Sequence, residues 1–257
     1  MTSFHDLHRQ NSPLLLPNAW DVASALAFAE AGFPAIGTTS FGVAAASGSP
    51  DGGRATKDAT LCLARRLQTV PAYTSVDIED GYSDDPDQVA AYAESLGVDG
   101  INIEDSTGEK LIGPALHAAK VSAIKDRVPG LFVNARVDTY WLGEQATVEE
   151  TLRRASAYVG AGADGIFVPG AADPDTLRHL AEGIGAPVNV LVHPTLTLDE
   201  LAGLGVRRVS TGSLPYRAAV DAAVRAAAAV RDGGTPPAVS PYPAMQEQLV
   251  RFARARR

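Results

Sequence analysis

Three carboxylates stand together in Ser75-Val76-Asp77-Ile78-Glu79-Asp80-Gly81-Tyr82, directly after a β-branched run. A strand sends alternate side chains to one face, so Asp77 and Glu79 are expected to point one way and Asp80 the other. Two like charges on one face at a strand end repel each other unless a cation lies between them. Oxygen ligands suit a hard ion, so Mg²⁺ is the natural occupant and Mn²⁺ an acceptable substitute. Taken alone, the same letters also describe a solvated turn, where Asp and Gly are favoured.

The elements that would position these acids follow from a repeat. Ala31-Gly32-Phe33-Pro34-Ala35-Ile36, Leu96-Gly97-Val98-Asp99-Gly100-Ile101, Ala161-Gly162-Ala163-Asp164-Gly165-Ile166 and Leu204-Gly205-Val206-Arg207-Arg208-Val209 share one grammar: helix end, glycine, short loop, buried strand. Apolar runs at Leu14-Leu15-Leu16, Ala72-Tyr73-Thr74-Ser75-Val76, Leu131-Phe132-Val133 and Val188-Asn189-Val190-Leu191-Val192 bring the strands to eight. Amphipathic segments alternate with them, for example over residues 87–96, 147–159 and 173–180. Such alternation predicts a parallel sheet covered by helices, and eight units in this length predict a (β/α)8 TIM barrel with its site at the C-terminal strand ends. A doubly wound sheet would usually carry G-x-G-x-x-G after its first strand, where this chain has Pro17-Asn18-Ala19-Trp20-Asp21. One barrel domain is expected over residues 1–257, with a C-terminal helical arm at 236–257 set off by Gly233-Gly234-Thr235-Pro236-Pro237. The arm carries Met245, Leu249, Val250 and Phe252 and ends in Arg254-Ala255-Arg256-Arg257; it is expected to pack onto a neighbouring subunit.

Composition narrows the partners. With 257 residues, 46% of them hydrophobic and 20% charged, the chain can bury a core. A formal charge of −8 argues against nucleic acid or an anionic membrane, both of which attract basic surfaces. Cys62, the one cysteine, excludes an intrachain disulfide and a multi-cysteine zinc site; within Leu61-Cys62-Leu63 it reads as a buried structural thiol. The N-terminus lacks a signal-peptide pattern and no apolar run reaches membrane-spanning length, so a cytoplasmic location is expected.

In a barrel, the strand ends carry function. The first offers Asn18, Trp20 and Asp21, the second Thr38, Thr39, Ser40 and Gly42, and the third the opening acids. The fourth ends in Asn102-Ile103-Glu104-Asp105 and the fifth in Asn134-Ala135-Arg136-Val137-Asp138. Asp77, Glu79 and Glu104 then converge as a three-carboxylate cage for one Mg²⁺ that keeps several waters, with Arg136 as a fixed cation beside it. Asp138, two residues beyond Arg136, shares its face and would orient the guanidinium. His193, at the seventh strand end beside Pro194, reads equally as a functional group or a loop anchor, and His117 as a general acid or an ordinary helix histidine. Trp20 reads as packing at the pocket floor, Tyr82 as a pocket wall, and Arg153-Arg154 as a solvated helix face.

Pro17-Asn18-Ala19-Trp20-Asp21, Thr39-Ser40-Phe41-Gly42-Val43-Ala44, Ser49-Pro50-Asp51, Asp77-Ile78-Glu79-Asp80-Gly81-Tyr82, Asn102-Ile103-Glu104-Asp105, Asn134-Ala135-Arg136 and Phe167-Val168-Pro169-Gly170 occur in one order. On these residues the chain resembles the isocitrate lyase and phosphoenolpyruvate mutase superfamily, over about residues 10 to 230. The resemblance implies a Mg²⁺-dependent enzyme acting on a small anionic carboxylate, with Asp51, Asp77, Glu79 and Glu104 holding the metal largely through waters. It implies that Ser40 and Gly42 bind the substrate carboxylate and that Arg136 meets the charge developing on the substrate oxygen. Trp20, Asp77 and Asn189 complete the expected substrate-binding set, and Asp51, Lys110 and His117 join Arg136 as candidate catalytic residues. A homo-oligomer, dimer or tetramer, with an exchanged C-terminal helix is also implied.

Two departures limit the chemistry. The isocitrate and methylisocitrate lyases place a Lys-Lys/Arg-Cys-Gly-His loop after the fourth strand; Ser106-Thr107-Gly108-Glu109-Lys110-Leu111-Ile112-Gly113 has neither Cys nor His. The phosphonopyruvate-processing members carry Glu-Asp-Lys, where this chain has Ser106 in the lysine's place and no asparagine between Asn102 and Asn134. Lys110, bracketed by Gly108 and Gly113 as lid hinges, is the candidate replacement. The leading expectation is a Mg²⁺-dependent lyase or hydrolase that breaks a C–C bond beside a carboxylate of a small 2-oxo or 2-hydroxy (di)carboxylic acid through an enolate. The alternatives are a phosphonate P–C bond enzyme and a non-catalytic carboxylate-binding barrel.

Overall fold

A computed structural model describes residues 2–255. The chain opens with α1 (Phe4–Leu7), β1 (Leu14–Leu16), β2 (Asn18–Ala19), α2 (Val22–Glu30), β3 (Ala35–Thr38), α3 (Ser40–Ala46), α4 (Lys57–Leu67) and β4 (Tyr73–Asp77). It continues through α5 (Pro86–Leu96), β5 (Gly100–Glu104), β6 (Ser106–Thr107), β7 (Lys110–Leu111), α6 (Pro114–Arg127), β8 (Phe132–Arg136), α7 (Thr139–Leu142) and α8 (Val148–Gly160). The last third holds β9 (Gly165–Phe167), α9 (Pro174–Gly183), β10 (Val188–Leu191), α10 (Leu198–Gly203), β11 (Val206–Ser210), α11 (Leu214–Arg231) and α12 (Tyr242–Ala255).

The large sheet runs β1-β11-β10-β9-β8-β5-β4-β3-β2 with parallel pairing throughout. Its two ends come from one extended stretch split at Pro17, which has no N–H to give a ladder. Leu16 pairs with Ser210 on one side and Asn18 with Gly37 on the other, so the sheet closes through this stretch into the expected TIM barrel. The eight strands read from the sequence are all present. The segment expected as a lid forms an antiparallel hairpin, β6 against β7.

The helices form for local reasons as well as for burial. In α5, Asp85 caps the N-terminus by accepting from the Asp87 N–H at 3.0 Å, Pro86 fits the first turn, and Gly97 ends the helix at φ +61°. The main apolar core lies between sheet and helices, with Val76, Ile78, Val89, Ile101, Ile103, Ile124 and Val133 fully enclosed. The barrel interior is instead polar. Asn134 donates to Asn102 at 2.9 Å and to Asn189 at 3.0 Å, and Arg208 of β11 reaches across to Asn102 of β5 at 3.0 Å. Burial pushes the Arg208 pKa down to about 9, against the pull of Asp77. Phe4 and His8 pack on Phe132 at ring separations of 5.4 and 4.0 Å.

Two surface expectations change. Cys62 is exposed, because α4 turns Leu63, Ala64 and Leu67 inward and leaves its neighbour outside. Arg154 is buried rather than solvated, since α8 directs its guanidinium onto Asp105 at 3.0 Å. The arm touches its own barrel: Phe252 packs on the cluster of Ala25, Leu26, Leu63 and Leu67, and Gln248 donates to Glu30 at 2.9 Å. Val220, Val224 and Val230 of α11 and Tyr242 and Met245 of α12 stay exposed. Arg256 and Arg257 lie outside the described residues. Among the described residues, no helix is long and apolar enough to cross a membrane.

Candidate active site

Strand register assembles the site. β4 pairs Asp77 with Asn102 of β5, and β5 in turn pairs Glu104 with Arg136 of β8, which places acids and arginine at one end of the barrel. Glu79 arrives differently from the alternation argument. The strand stops at Asp77, and Glu79 adopts φ +49°, so a left-handed turn rather than strand pleat aims its carboxylate. One Glu79 oxygen accepts the Arg54 N–H at 2.8 Å and the other the Thr56 hydroxyl. Arg54 and Glu109, which line the same cleft, are also left-handed, at φ +66° and +61°. Three such non-glycine residues beside one cleft are a local strain of the kind that collects at functional sites.

The electrostatics are those of crowded, dehydrated acids. Asp77 accepts a long bond from the Ser40 N–H at 3.3 Å; burial pushes its pKa up to about 6, with Arg136 pulling it down and Asp51 pushing it further up. Burial also raises Glu104 well above the usual carboxylate range, opposed by Arg136 and reinforced by Asp138, Asp77 and Asp51. Arg136 pairs with Glu104 through Nη1 and donates from Nε to Asp138 at 2.5 Å. Burial works against its charge, but Glu104, Asp138 and Asp77 hold its pKa above the ordinary arginine value. Its guanidinium also stands 5.5 Å from the Trp141 ring and 5.7 Å from that of Phe167, within cation–π range.

Behind Arg136 lies a fully buried support. Asp138 orients the guanidinium as the spacing suggested; its second oxygen accepts from the Ser106 hydroxyl at 2.6 Å, and its N–H donates to Asp105 at 2.8 Å. Asp105 receives the Tyr158 hydroxyl at 2.7 Å and is pushed up to about 6 by burial and by Asp138. On the other side Asp80 ties two loops together. It accepts from Arg54 Nη2 and from the Thr107 hydroxyl, both at 2.5 Å, while Lys120 donates to its backbone carbonyl at 2.8 Å. Burial pushes the Asp80 carboxyl upward, but the bonds from Arg54 and Thr107 outweigh it and leave its pKa lowered.

The cleft has two chambers. The smaller, 190 Å³, is lined by Asp51, Glu79, Asp80, Glu104 and Arg54; the larger, 640 Å³, opens beside Asp77. Ser40, Asp51, Arg136 and Trp141 line both, so the chambers are continuous.

Of the residues expected at the site, Ser40, Asp51, Asp77, Glu79, Glu104 and Arg136 are brought together. Others are not. Gly42 is buried in the first turn of α3, where a Cβ would come within 2.9 Å of Trp20. Trp20 itself packs against Tyr216 at 5.4 Å, outside the lining of either chamber. Asn189 is spent inside the barrel on the carbonyls of Val190 and Arg208 and on Ser210. His117 is enclosed against Tyr158 at 4.4 Å with neither ring nitrogen bonded, and burial lowers its pKa to about 3; it is a neutral core histidine that does not reach the cleft. Lys110 sits exposed on β7, off the lining. Tyr82 is a buried brace whose hydroxyl meets Thr56 and Thr60, not a pocket wall. His193 anchors a loop, with Nε2 on the Ala172 carbonyl and Nδ1 accepting from the N–H groups of Thr195 and Leu196.

The cage is also looser than expected. Among the described residues, no three carboxylate, imidazole or thiol groups converge closely enough to ligate one ion directly. Glu79 is turned onto Thr56 and Arg54, and Glu104 onto Arg136. Arg54 and Lys120 were missed. Arg54 follows Gly52-Gly53 beside Asp51, and the acids Asp80 and Asp84 called for a nearby cation. Lys120 falls in the buried stripe of His117, Val121 and Ile124, where a charge needs a partner.

Known proteins resemble the chain over nearly its whole length. An uncharacterised protein of Mycobacterium tuberculosis (strain ATCC 25618 / H37Rv) is 58% identical over 250 residues, 97% of each chain. The 2-methylisocitrate lyase of Salmonella typhimurium is 31% identical over 245 residues, covering 88% of this chain and 83% of that one. The fold matches that of a phosphonopyruvate hydrolase solved with oxalate and Mg²⁺ at a TM-score of 0.84, with 24% identity over 98% of this chain and 96% of that one. The family model for phosphoenolpyruvate phosphomutase matches residues 4–231, and the chain belongs to that family, within the isocitrate lyase and phosphoenolpyruvate mutase superfamily.

Proposed function

We propose that this protein is a Mg²⁺-dependent lyase that cleaves a C–C bond next to a carboxylate in a small 2-oxo or 2-hydroxy (di)carboxylic acid. The observation that carries this reading is the gathering of Asp51, Asp77, Glu79 and Glu104 around Arg136, with Asp77 and Glu104 held above the normal carboxylate range. The donors are all hard oxygens, dehydrated by burial and only partly offset by Arg136, and a divalent cation would complete that compensation. Their spacing suits an ion held largely through waters rather than by direct ligation. When bound, such an ion supplies Lewis-acid stabilisation of oxygen charge.

The chain's own residues account for the rest. The N–H group of Ser40, which lines both chambers, makes a long bond of 3.3 Å to Asp77, which a substrate carboxylate would replace. In cleavage of a 2-hydroxy acid the hydroxyl proton leaves to solvent and its oxygen becomes a carbonyl as the C–C bond breaks. The bonding pair passes into the other fragment's carboxylate as an enolate, which takes a proton from solvent, and Arg136 is placed to hold the oxygen where charge gathers. Ser106 stands where the phosphonopyruvate-processing members carry lysine and is committed to Asp138, which weighs against P–C chemistry. A cytoplasmic location belongs to the same reading and is supported by the cysteine usage. A dimer or tetramer is supported by the exposed apolar residues of α11 and α12.

The test is a Mg²⁺-dependent screen for release of a 2-oxo acid or oxalate from oxaloacetate, malate-type acids and phosphonopyruvate. Cleavage of a C–C substrate is expected. Turnover of phosphonopyruvate alone would overturn the reading, and saturable binding without product would make the barrel a binding protein.

A further inference from the structure

The larger chamber is chemically lopsided. Its charged lining residues are Asp51, Asp77 and Arg136 at the acid end and Arg217 at the mouth, with the His193 ring spent on its own loop. Between them run Phe41, Phe167, Pro169, Leu191, Val192 and Leu214. Trp141, Val192 and Leu214 are 55%, 43% and 43% exposed, so large apolar side chains line an open cavity that continues from the acid site. Apolar surface gathered beside a polar centre marks a place where a ligand is expected to cover it.

Size points the same way. A chamber of 640 Å³ lies within the range of cavities that enclose drug-sized ligands, which is more space than a four-carbon diacid fills. The reacting oxygen and the wall are also tied together. Arg136 lies between Trp141 and Phe167, so the apolar surface begins at the guanidinium assigned to that oxygen.

We infer that the acid accepted by this cleft carries an apolar substituent several carbons long, seated against Phe41, Phe167, Leu191 and Leu214. The inference rests on the cleft being an oxo-acid site. It names the substrate class: an alkyl- or aryl-substituted 2-oxo or 2-hydroxy acid, rather than an unsubstituted diacid.

The test is calorimetry on the full chain with Mg²⁺ and a straight series of 2-oxo acids: pyruvate, 2-oxobutyrate, 2-oxovalerate and 2-oxohexanoate. Each methylene laid on the wall should tighten Kd by about fourfold. Leu214 is nearly half exposed, so Leu214→Asp should fold, and it should flatten the series. A Kd that is constant or rises with chain length, absence of binding by every member, or an equal shift of all members by Leu214→Asp would overturn the inference. Parallel turnover assays on malates bearing the same substituents separate the two readings. Graded binding without cleavage removes the lyase and keeps the substituent, whereas cleavage of unsubstituted acids with a flat series removes the substituent and keeps the lyase.

Discussion

Asp138 lies outside the cleft lining, and removing its carboxylate should disable Arg136, which is part of that lining. Asp138 is fully buried and holds two bonds, from Arg136 Nε at 2.5 Å and from Ser106 Oγ at 2.6 Å. In Asp138→Ala the guanidinium keeps Glu104 alone and loses the bond that fixes its plane. A hydrogen bond to a charged group is worth about 1.5–3 kcal/mol. If that fixation acts where oxygen charge develops, the loss corresponds to roughly a 10- to 150-fold fall in kcat. KM should change little, because the substrate carboxylate is assigned to Ser40. The same bonds support the fold, so Tm should fall by about 3–12 °C. Asp138→Asn can still accept from Arg136 and donate to Ser106, losing charge but not geometry, and should recover most of the Tm and part of the kcat. The assay is steady-state release of the oxo-acid product, with thermal melts alongside. Wild-type kcat in a destabilised Asp138→Ala would refute the positioning role.

Lys120→Met should cost about 3–5 kcal/mol in denaturant titrations, because it strips a fully buried cation from the Asp80 carbonyl at 2.8 Å and from its carboxylate at 3.8 Å. A loss below about 1 kcal/mol would mean that Arg54 alone secures Asp80. His117 governs part of the acid response. Burial lowers its folded pKa to about 3, so the unfolded chain takes the proton first; the stabilisation is complete above about pH 6.5 and is lost as pH falls toward 3. His117→Phe should therefore reduce the loss of stability between pH 6.5 and 5 by about 1.1 kcal/mol per pH unit. Urea melts at each pH would show it, and an unchanged slope would contradict it.

Much of this molecule is legible in its letters. The helix–glycine–loop–strand repeat forecast the barrel because each strand follows a helix end at regular spacing and sends apolar residues outward to the helices, even where its inward residues, such as Asn102, Asn134 and Asn189, are polar. Strand-end position also identified the acids and Arg136, since parallel register brings those ends together. What failed was side-chain direction beyond the last ladder bond. Glu79 is placed by a left-handed turn, His117 and Arg154 by the faces of their helices, and Asn189 by partners across the barrel. Those depend on neighbours distant in the chain, such as Thr56 for Glu79 and Asp105 for Arg154. Lys120 was legible in principle as a charge within an apolar stripe, but its partner Asp80 is forty residues away. The loop carrying Arg54 was opaque because glycine-rich sequence does not say which way it folds.

The central claim is that these carboxylates bind a divalent cation, and Mn²⁺ titration followed by electron paramagnetic resonance tests it most directly. One site per chain, displaced by Mg²⁺, is predicted for the wild type. Glu79→Gln, whose amide oxygen can still accept from the Arg54 N–H, should leave the melting temperature nearly unchanged while weakening Mn²⁺ by at least about tenfold. Mn²⁺ binding that is absent in the wild type, or equal in the two proteins, would contradict the account.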